Sequence, residues 1–343
     1  MKLASTLFLA PLLLSLSTAA AFAAEYGFKE TAGQHLDVLR DGKVIARYML
    51  AYDTSTKEKI HDTYKPYLHV FDADGSSPIT KGPGGDFTHH RGIFEGWNKL
   101  LVGGKTYDRW HMKGGAQVHA KFLEQKADAE GATFTSLVKW QGEGEAVEPV
   151  LEDERTFRFL PASSPYYSII DVTTKLKAIG GDTTFDGDPE HAGLQFRPAQ
   201  EVDRTKTTYL YPKAKADAHK DLDYPWFAET YTLNGKTYSV VYLNHASNPT
   251  GTRISAYRDY GRFGAFFKTS IKKDEVLTLK VRFLIAEGVL PSAELIQKSW
   301  NEYSGKSDAT PEVTPKAAEG SKAPARPKAL EQKKEDPAKA KSN

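Results

Sequence analysis

The run Val276-Leu277-Thr278-Leu279-Lys280-Val281-Arg282-Phe283-Leu284-Ile285 decides the fold class. Apolar and polar residues alternate along it, the period of a half-buried strand. Leu277, Leu279, Val281, Phe283 and Ile285 share one face, and Thr278, Lys280 and Arg282 share the other. Tyr166 to Leu176 repeats the pattern. Two tight turns add hairpins. Asp41-Gly42 joins Leu36–Arg40 to Lys43–Arg47, and Asn234-Gly235 joins Tyr231-Thr232-Leu233 to Tyr238–Tyr242. Asp-Gly and Asn-Gly supply the positive φ angles of such turns. Only Ser292 to Tyr303 reads as a helix, with Ser292 as its cap and Leu295, Ile296 and Trp300 near helical spacing. The expected fold is all-β: a mostly antiparallel β-sandwich with one C-terminal helix and a disordered tail.

Composition divides the chain into three. Residues 1–24 carry one lysine, an apolar run and an Ala-Phe-Ala ending, so they read as a signal peptide cleaved after Ala23 or Ala24. Residues 25–304 form the sandwich domain. Residues 305–343 are rich in Ala, Pro, Lys and Glu without an aromatic side chain, which predicts disorder. The expected location is periplasmic or extracellular. No later apolar stretch has the length of a membrane span. The chain has 0 Cys, which removes disulfides, thiolate metal sites and cysteine nucleophiles. A net charge of +2 gives a nucleic-acid partner no electrostatic support.

Three stretches concentrate groups capable of chemistry. The first is Thr88-His89-His90-Arg91-Gly92, followed by Glu95, Trp97 and Tyr107-Asp108-Arg109-Trp110-His111. Neighbouring residues on a strand face opposite ways, so His89 and His90 serve one site only if the backbone is irregular there. Gly82, Gly84 and Gly85 permit that irregularity. The second is His191-Ala192-Gly193-Leu194-Gln195-Phe196-Arg197, where His191, Gln195 and Arg197 line one face as mixed donors and acceptors. The third is Asn244-His245-Ala246-Ser247-Asn248-Pro249 with Arg258-Asp259-Tyr260-Gly261 further on. The plainer reading of each is a structural histidine or a solvated polar face.

Pro66-Tyr67-Leu68-His69, His89-His90-Arg91-Gly92, Asn248-Pro249 and Arg258-Asp259-Tyr260-Gly261 occur in this order. Together they resemble the blocks of the PmoA-like family of secreted bacterial proteins, a domain of unknown function, over roughly residues 27–288. The resemblance implies a galactose-mutarotase-like supersandwich and a link to carbohydrate degradation. It supplies no catalytic residues. The family's alternative label, a methane-oxygenase subunit, denotes an integral membrane protein and does not suit a chain without an apolar span.

The expected function is therefore acid–base chemistry on a sugar: mutarotation, epimerisation or β-elimination. His111 and His245 form the expected acid–base pair, because imidazole titrates near neutrality. Glu95 and Glu229 are the fallback bases. His90, Arg91, Trp97, Trp110, His191, Gln195, Arg197, Trp226, Arg258 and Tyr260 are expected to bind substrate, the tryptophans by stacking and the arginines through hydroxyl or carboxylate groups. The partner is a carbohydrate or sugar-derived small molecule, with no cofactor and no metal. A non-catalytic sugar-binding module is the second reading. A histidine-metal enzyme comes last, since no paired-ligand spacing such as His-Glu-x-x-His occurs.

Overall fold

A computed structural model describes residues 24–143, 148–288 and 290–320. The proposed signal segment, apart from Ala24, lies outside them. The alternating runs form the centre of the structure. Val276–Glu287 pairs antiparallel with Tyr166–Ala178, with Val172 opposite Val281. Both turns form as expected, Asp41-Gly42 with φ of 53° and 75° and Asn234-Gly235 with φ of 51° and 81°.

Two large sheets face each other. The 9-stranded sheet runs, in spatial order, through Lys316–Ala317, Thr208–Leu210, Trp226–Leu233, Lys236–Asn244, Val276–Glu287, Tyr166–Ala178, Pro149–Leu160, Gly131–Gln141 and Gln117–Asp128. The 8-stranded sheet runs through Tyr26–Thr31, His35–Arg40, Lys43–Met49, Tyr67–Val70, Ile93–Trp97, Ala192–Phe196, Phe263–Phe266 and Arg253–Ser255. Between them lies the main core, which includes Tyr48, Phe134, Phe157, Phe196, Phe227, Phe263 and Phe283. A 4-stranded sheet covers a second core around Trp97, Trp140 and Phe185. The expected helix is Ala293–Ser304, capped by Ser292 Oγ on the Leu295 amide and ended by Gly305 at a φ of 65°. It covers Trp226, Val241 and Leu284 on the outer face of the 9-stranded sheet.

Two features depart from expectation. Lys57–Thr63 is a short helix with no buried residue, so no apolar stripe announced it. Residues 305–320 are not a disordered tail. Lys316–Ala317 adds a strand to the edge of Thr208–Leu210, and Val313 packs under the terminal helix. Backbone pairing to an open edge needs no apolar side chains, so the composition concealed it. Residues 321–343, the rest of the expected disordered tail, lie outside the described residues.

A buried polar seam crosses the sandwich. Arg155 on one sheet grips Asp153 Oδ2 at 2.5 Å and stands 3.7 Å from Glu95 Oε2 on the facing sheet. Gln117 and Trp140 join the network, the first accepting from Arg155 Nη2 at 3.2 Å and the second donating to Asp153 at 3.3 Å. Arg155 and both carboxylates are at most 1% exposed. Burial, with Asp153 next, pushes the Glu95 carboxyl above its usual range. Removing the only cation of this seam strands two buried acids. Arg155→Ala is expected to cost about 3–5 kcal/mol in urea unfolding, and a loss under about 1 kcal/mol would refute the seam's structural role.

Candidate functional site

Two loops, one after strand Lys105–Tyr107 and one after strand Thr183–Asp186 of the 4-stranded sheet, are built alike. In the first, Asp108 Oδ1 accepts the backbone amides of Trp110 at 3.2 Å and His111 at 2.8 Å. His111 turns its ring back, so that Nδ1 meets Asp108 Oδ2 at 2.9 Å. In the second, Asp188 Oδ1 accepts the Glu190 amide at 3.0 Å and meets His191 Nδ1 at 2.8 Å. An aspartate that closes its own turn through the amide two residues on is a local, sequence-encoded device. Here it also seats a histidine three residues on. The Asp188 carboxyl is half buried, yet hydrogen bonding to His191 holds it down at about 2.

Strand Ile93–Trp97 brings the two loops together. Trp97 O accepts the Arg109 amide at 2.8 Å, and the next residue's amide, that of Asn98, reaches His191 O at 3.0 Å. Asn98 Nδ2 also donates to Asp188 Oδ2 at 3.1 Å. Gly96 is required for this crossing, because a Cβ there would stand 2.2 Å from Arg109 O. The His111 and His191 rings end 5.4 Å apart. His89 joins them 4.4 Å from His111.

His89 and His90 do face the same region, their rings 4.4 Å apart. The irregularity that permits this is Phe87 at a φ of 51°, whose carbonyl accepts the His90 amide at 2.8 Å. Lys65, 1% exposed, ties the loops from below: its Nζ donates to Trp110 O at 2.6 Å and to His89 O at 3.1 Å. Burial first, and neighbouring cations second, push the proton affinity of both His89 and His90 far down, so these two rings are neutral. His89 Nε2, His90 Nδ1 and Trp110 Nε1 are buried without a hydrogen-bond partner among the described residues.

One wall of the cluster is Tyr260, 4.6 Å from the Phe87 ring and 6.1 Å from His90. The Arg197 guanidinium lies 4.8 Å above Tyr260 and donates to its carbonyl at 2.6 Å. Arg258 and Tyr257 both bind Glu190, the hydroxyl of Tyr257 at 2.9 Å. Gly261 closes this wall at a φ of 73°, where a Cβ would meet Pro198 at 2.8 Å and Glu229 Oε2 at 3.1 Å.

The structure thus brings together His90, Trp110, His111, His191, Arg197, Arg258 and Tyr260 of the expected residues. His90, Trp110, Arg197 and Tyr260 are buried there, Trp110 and Arg197 as packing and bracing groups, and only His111, His191 and Arg258 keep solvent access. It corrects the others. His245 shares no contact with His111: its ring lies 5.0 Å from Tyr303, and Nδ1 meets Ser247 Oγ at 2.8 Å. It lines a separate cavity of about 270 Å³ with Asn244, Asn248 and Trp300. Trp97 is a core side chain 4.9 Å from Phe185, and Trp226 is covered by the terminal helix, donating to Gln297 at 2.8 Å. Arg91 is wholly buried and clamps backbone, donating to His90 O at 2.9 Å and His61 O at 2.8 Å. Gln195 turns back to Ala192 O at 2.8 Å, because its strand is buried on both faces. Glu95 belongs to the Arg155 seam. The residues missed were Asp108, Asp188, Glu190 and Lys65. The Asp-x-x-His spacing, at Asp108/His111 and Asp188/His191, was the available signal, though it also occurs at Asp86/His89, where Asp86 pairs with Arg204. Among the described residues, no group of three His, Asp or Glu side chains could hold a metal ion, and no helix is long and apolar enough to cross a membrane.

Glu229 sits behind this wall. It is 0% exposed, and neither carboxyl oxygen has a hydrogen-bond partner among the described residues. Burial raises its carboxyl well above the ordinary range, against the opposing pull of Arg197. The folded protein therefore holds a proton that the unfolded chain releases. Stability from this group is full below the ordinary carboxylate pKa and is lost as pH rises through the raised one. Glu229→Gln removes that loss. The variant should gain stability relative to the parent between mildly acid and alkaline pH, read from urea midpoints; the opposite trend would mean an ionised Glu229 paired with Arg197.

Solved structures resemble the chain only distantly. A heparan sulfate lyase HepC mutant from Pedobacter heparinus matches at a TM-score of 0.40 and 11% identity, over 80% of this chain and 38% of that one. A beta-arabinopyranosidase matches at a TM-score of 0.38 and 10% identity, over 71% of this chain and 39% of that one. The chain thus spans about two fifths of the length of either, and no residue role passes across at this level. No curated protein matches it. A family signature covers residues 35–301, a stretch that holds both Asp-x-x-His loops. It bears out a domain of unknown function without carrying the PmoA-like label. The chain belongs to DUF6807, a family of unknown function.

Proposed function

We propose that this protein carries out acid–base chemistry on a carbohydrate, with His111 and His191 as the proton-transferring pair. One observation carries the reading: two imidazoles, each bound through Nδ1 to its own aspartate, stand 5.4 Å apart. A carboxylate on Nδ1 fixes the tautomer that leaves Nε2 as acceptor, and it stabilises the imidazolium once the proton arrives. Both rings keep solvent access, with side chains 28% and 37% exposed. Burial lowers the proton affinity of His89 and His90, which makes them weaker competitors for that proton. Arg258, paired with Glu190 and 29% exposed, offers donors to hydroxyl or carboxylate oxygens at the rim.

The spacing bears on the reaction. A sugar ring clasped between two flat groups needs about 3.5–4.0 Å on either side. A separation of 5.4 Å is too narrow for that. The two imidazoles instead address neighbouring atoms from one side. That disfavours two-base epimerisation across both faces of a ring, and of the one-sided reactions we propose β-elimination. One Nε2 takes the proton from carbon, its electron pair forms the new double bond, the carbon–oxygen bond breaks, and the other imidazolium protonates the departing oxygen. We further propose that the substrate is met outside the cytoplasm, as the first 24 residues suggest.

The test is turnover of a panel of neutral and uronate-containing polysaccharides, followed by reducing ends and by the ultraviolet absorbance of unsaturated products. His111→Gln and His191→Gln should each lower turnover by about 10²–10⁴-fold. His245→Gln should leave it unchanged. Full activity in either of the first two variants would remove that residue from the mechanism. Sugar binding without any turnover by the parent protein would favour the non-catalytic module.

A further inference from the structure

The chain after the terminal helix returns to the wall of the site. Asp308 is tied to Asn301, whose Nδ2 donates to its carbonyl at 2.8 Å. Further on, Lys316–Ala317 pairs with Thr208–Leu210, and the Ala318 amide donates to Thr207 O at 3.0 Å. Glu319 then crosses to a different segment. Its amide donates to Tyr257 O at 2.7 Å, and its carbonyl accepts the Asp259 amide at 3.1 Å. Its side chain meets His219 Nε2 at 2.9 Å, and the His219 ring lies 4.1 Å from Tyr257.

Tyr257 to Tyr260 is the wall of the site. Its inner side binds Glu190 through Tyr257 and Arg258, and faces His90 through Tyr260. Glu190 is the neighbour of His191 and lies inside the turn that Asp188 closes. Elsewhere this wall is held by side-chain hydroxyls: Tyr209 donates to Arg258 O and Thr207 to Asp259 O, each at 2.7 Å. The segment from Lys316 to Glu319 adds the backbone pairing on its outer edge.

We propose that residues 316–319 are a positioning strap for the His191 half of the site. The strap fixes the Tyr257–Asp259 backbone, that backbone presents Arg258 and the Tyr257 hydroxyl to Glu190, and Glu190 steadies the turn that aims His191. Among the described residues the Asp108–His111 turn has no such connection: it is closed by its own aspartate, held to Trp97 O through Arg109 and pinned by Lys65. The strap therefore acts on one imidazole of the pair and spares the other. The inference rests on the reading that His111 and His191 work together.

The asymmetry supplies the test, which needs no substrate. A chain ending at Pro315 keeps the Val313 and Asp308 contacts and loses only the strap and the residues beyond it. Amide hydrogen exchange should quicken at Glu190 and His191 by roughly fivefold to tenfold, the effect of about one lost hydrogen bond, and stay unchanged at Trp110 and His111. A chain ending at Gly320 should match the full chain at all four amides. Should the shortened chain fail to fold, Glu319→Pro in the full chain removes the amide bound to Tyr257 O and should give the same one-sided change. Equal quickening of both turns, or no change at Glu190 and His191, would overturn the proposal. A protein inactive on every sugar would leave this readout intact, so the two hypotheses fail separately.

Discussion

Arg155 is a fully buried cation answering two carboxylates that lie on facing sheets. Taking such charges out of water costs several kcal/mol for each ion, so the arrangement survives only while every member keeps its partners. The consequence is geometric. Glu95 sits in the middle of strand Ile93–Trp97, and Gln117 Nε2 grips its backbone carbonyl at 2.8 Å while Gln117 Oε1 accepts from Arg155. The strand is thereby registered against the opposite sheet as well as against its neighbours. The 109–111 and 188–191 loops both hang from the end of that strand. The precision of the histidine pair is inherited from a salt-bridged seam in the sandwich interior.

From that anchor the site is assembled in two independent halves. His111 belongs to a turn closed by its own aspartate and pinned by Lys65, a buried ammonium held by two carbonyls and lying 4.8 Å from the Phe94 ring. Burial pushes the proton affinity of that ammonium well down, and a lysine in such surroundings holds its place through hydrogen bonds and ring contact rather than through an acid. His191 belongs to a turn of the same design, but it borrows support from Glu190, from the 257–260 wall and, through that wall, from the last described strand of the chain. One half is self-contained and the other is coupled to the C-terminus. This difference is written in hydrogen bonds, not in the local sequence, since both turns read Asp-x-x-His.

The charged groups near the site divide by burial. Arg91, Arg109, Arg197 and Arg262 are all 0% exposed and donate mainly to backbone carbonyls, Arg197 through Nη1 only. They shape loops. Arg258 and Arg204 keep appreciable exposure while bound to a carboxylate, the first to Glu190 and the second to Asp86. The sequence reads Arg91, Arg197 and Arg258 as substrate-binding groups. The structure turns most of them into internal braces, as buried guanidinium groups with five fixed donors are suited to be.

The sequence by itself determined the sheets. A period of two over ten or more residues at Tyr166–Leu176 and Val276–Ile285 leaves few other ways to bury one face, and Asp-Gly and Asn-Gly leave few other turns. It also held the Asp-x-x-His spacing at Asp86/His89, Asp108/His111 and Asp188/His191, and only the last two close as Asp–His turns, since Asp86 pairs with Arg204 instead. What it could not determine was which distant segments meet. His245 resembles His111 in its surroundings along the chain, yet one packs on Tyr303 and the other on His89. Trp97 and Trp226 look like stacking platforms and are core, since an aromatic ring carries the same signal for either use. The strap was hidden for a different reason: backbone hydrogen bonds to an open sheet edge depend on where the edge lies, and polar or small residues make them as well as apolar ones. Local periodicity is a property of neighbours in the chain, whereas convergence of strand ends is set by sheet order and packing, and only the tertiary structure decides those.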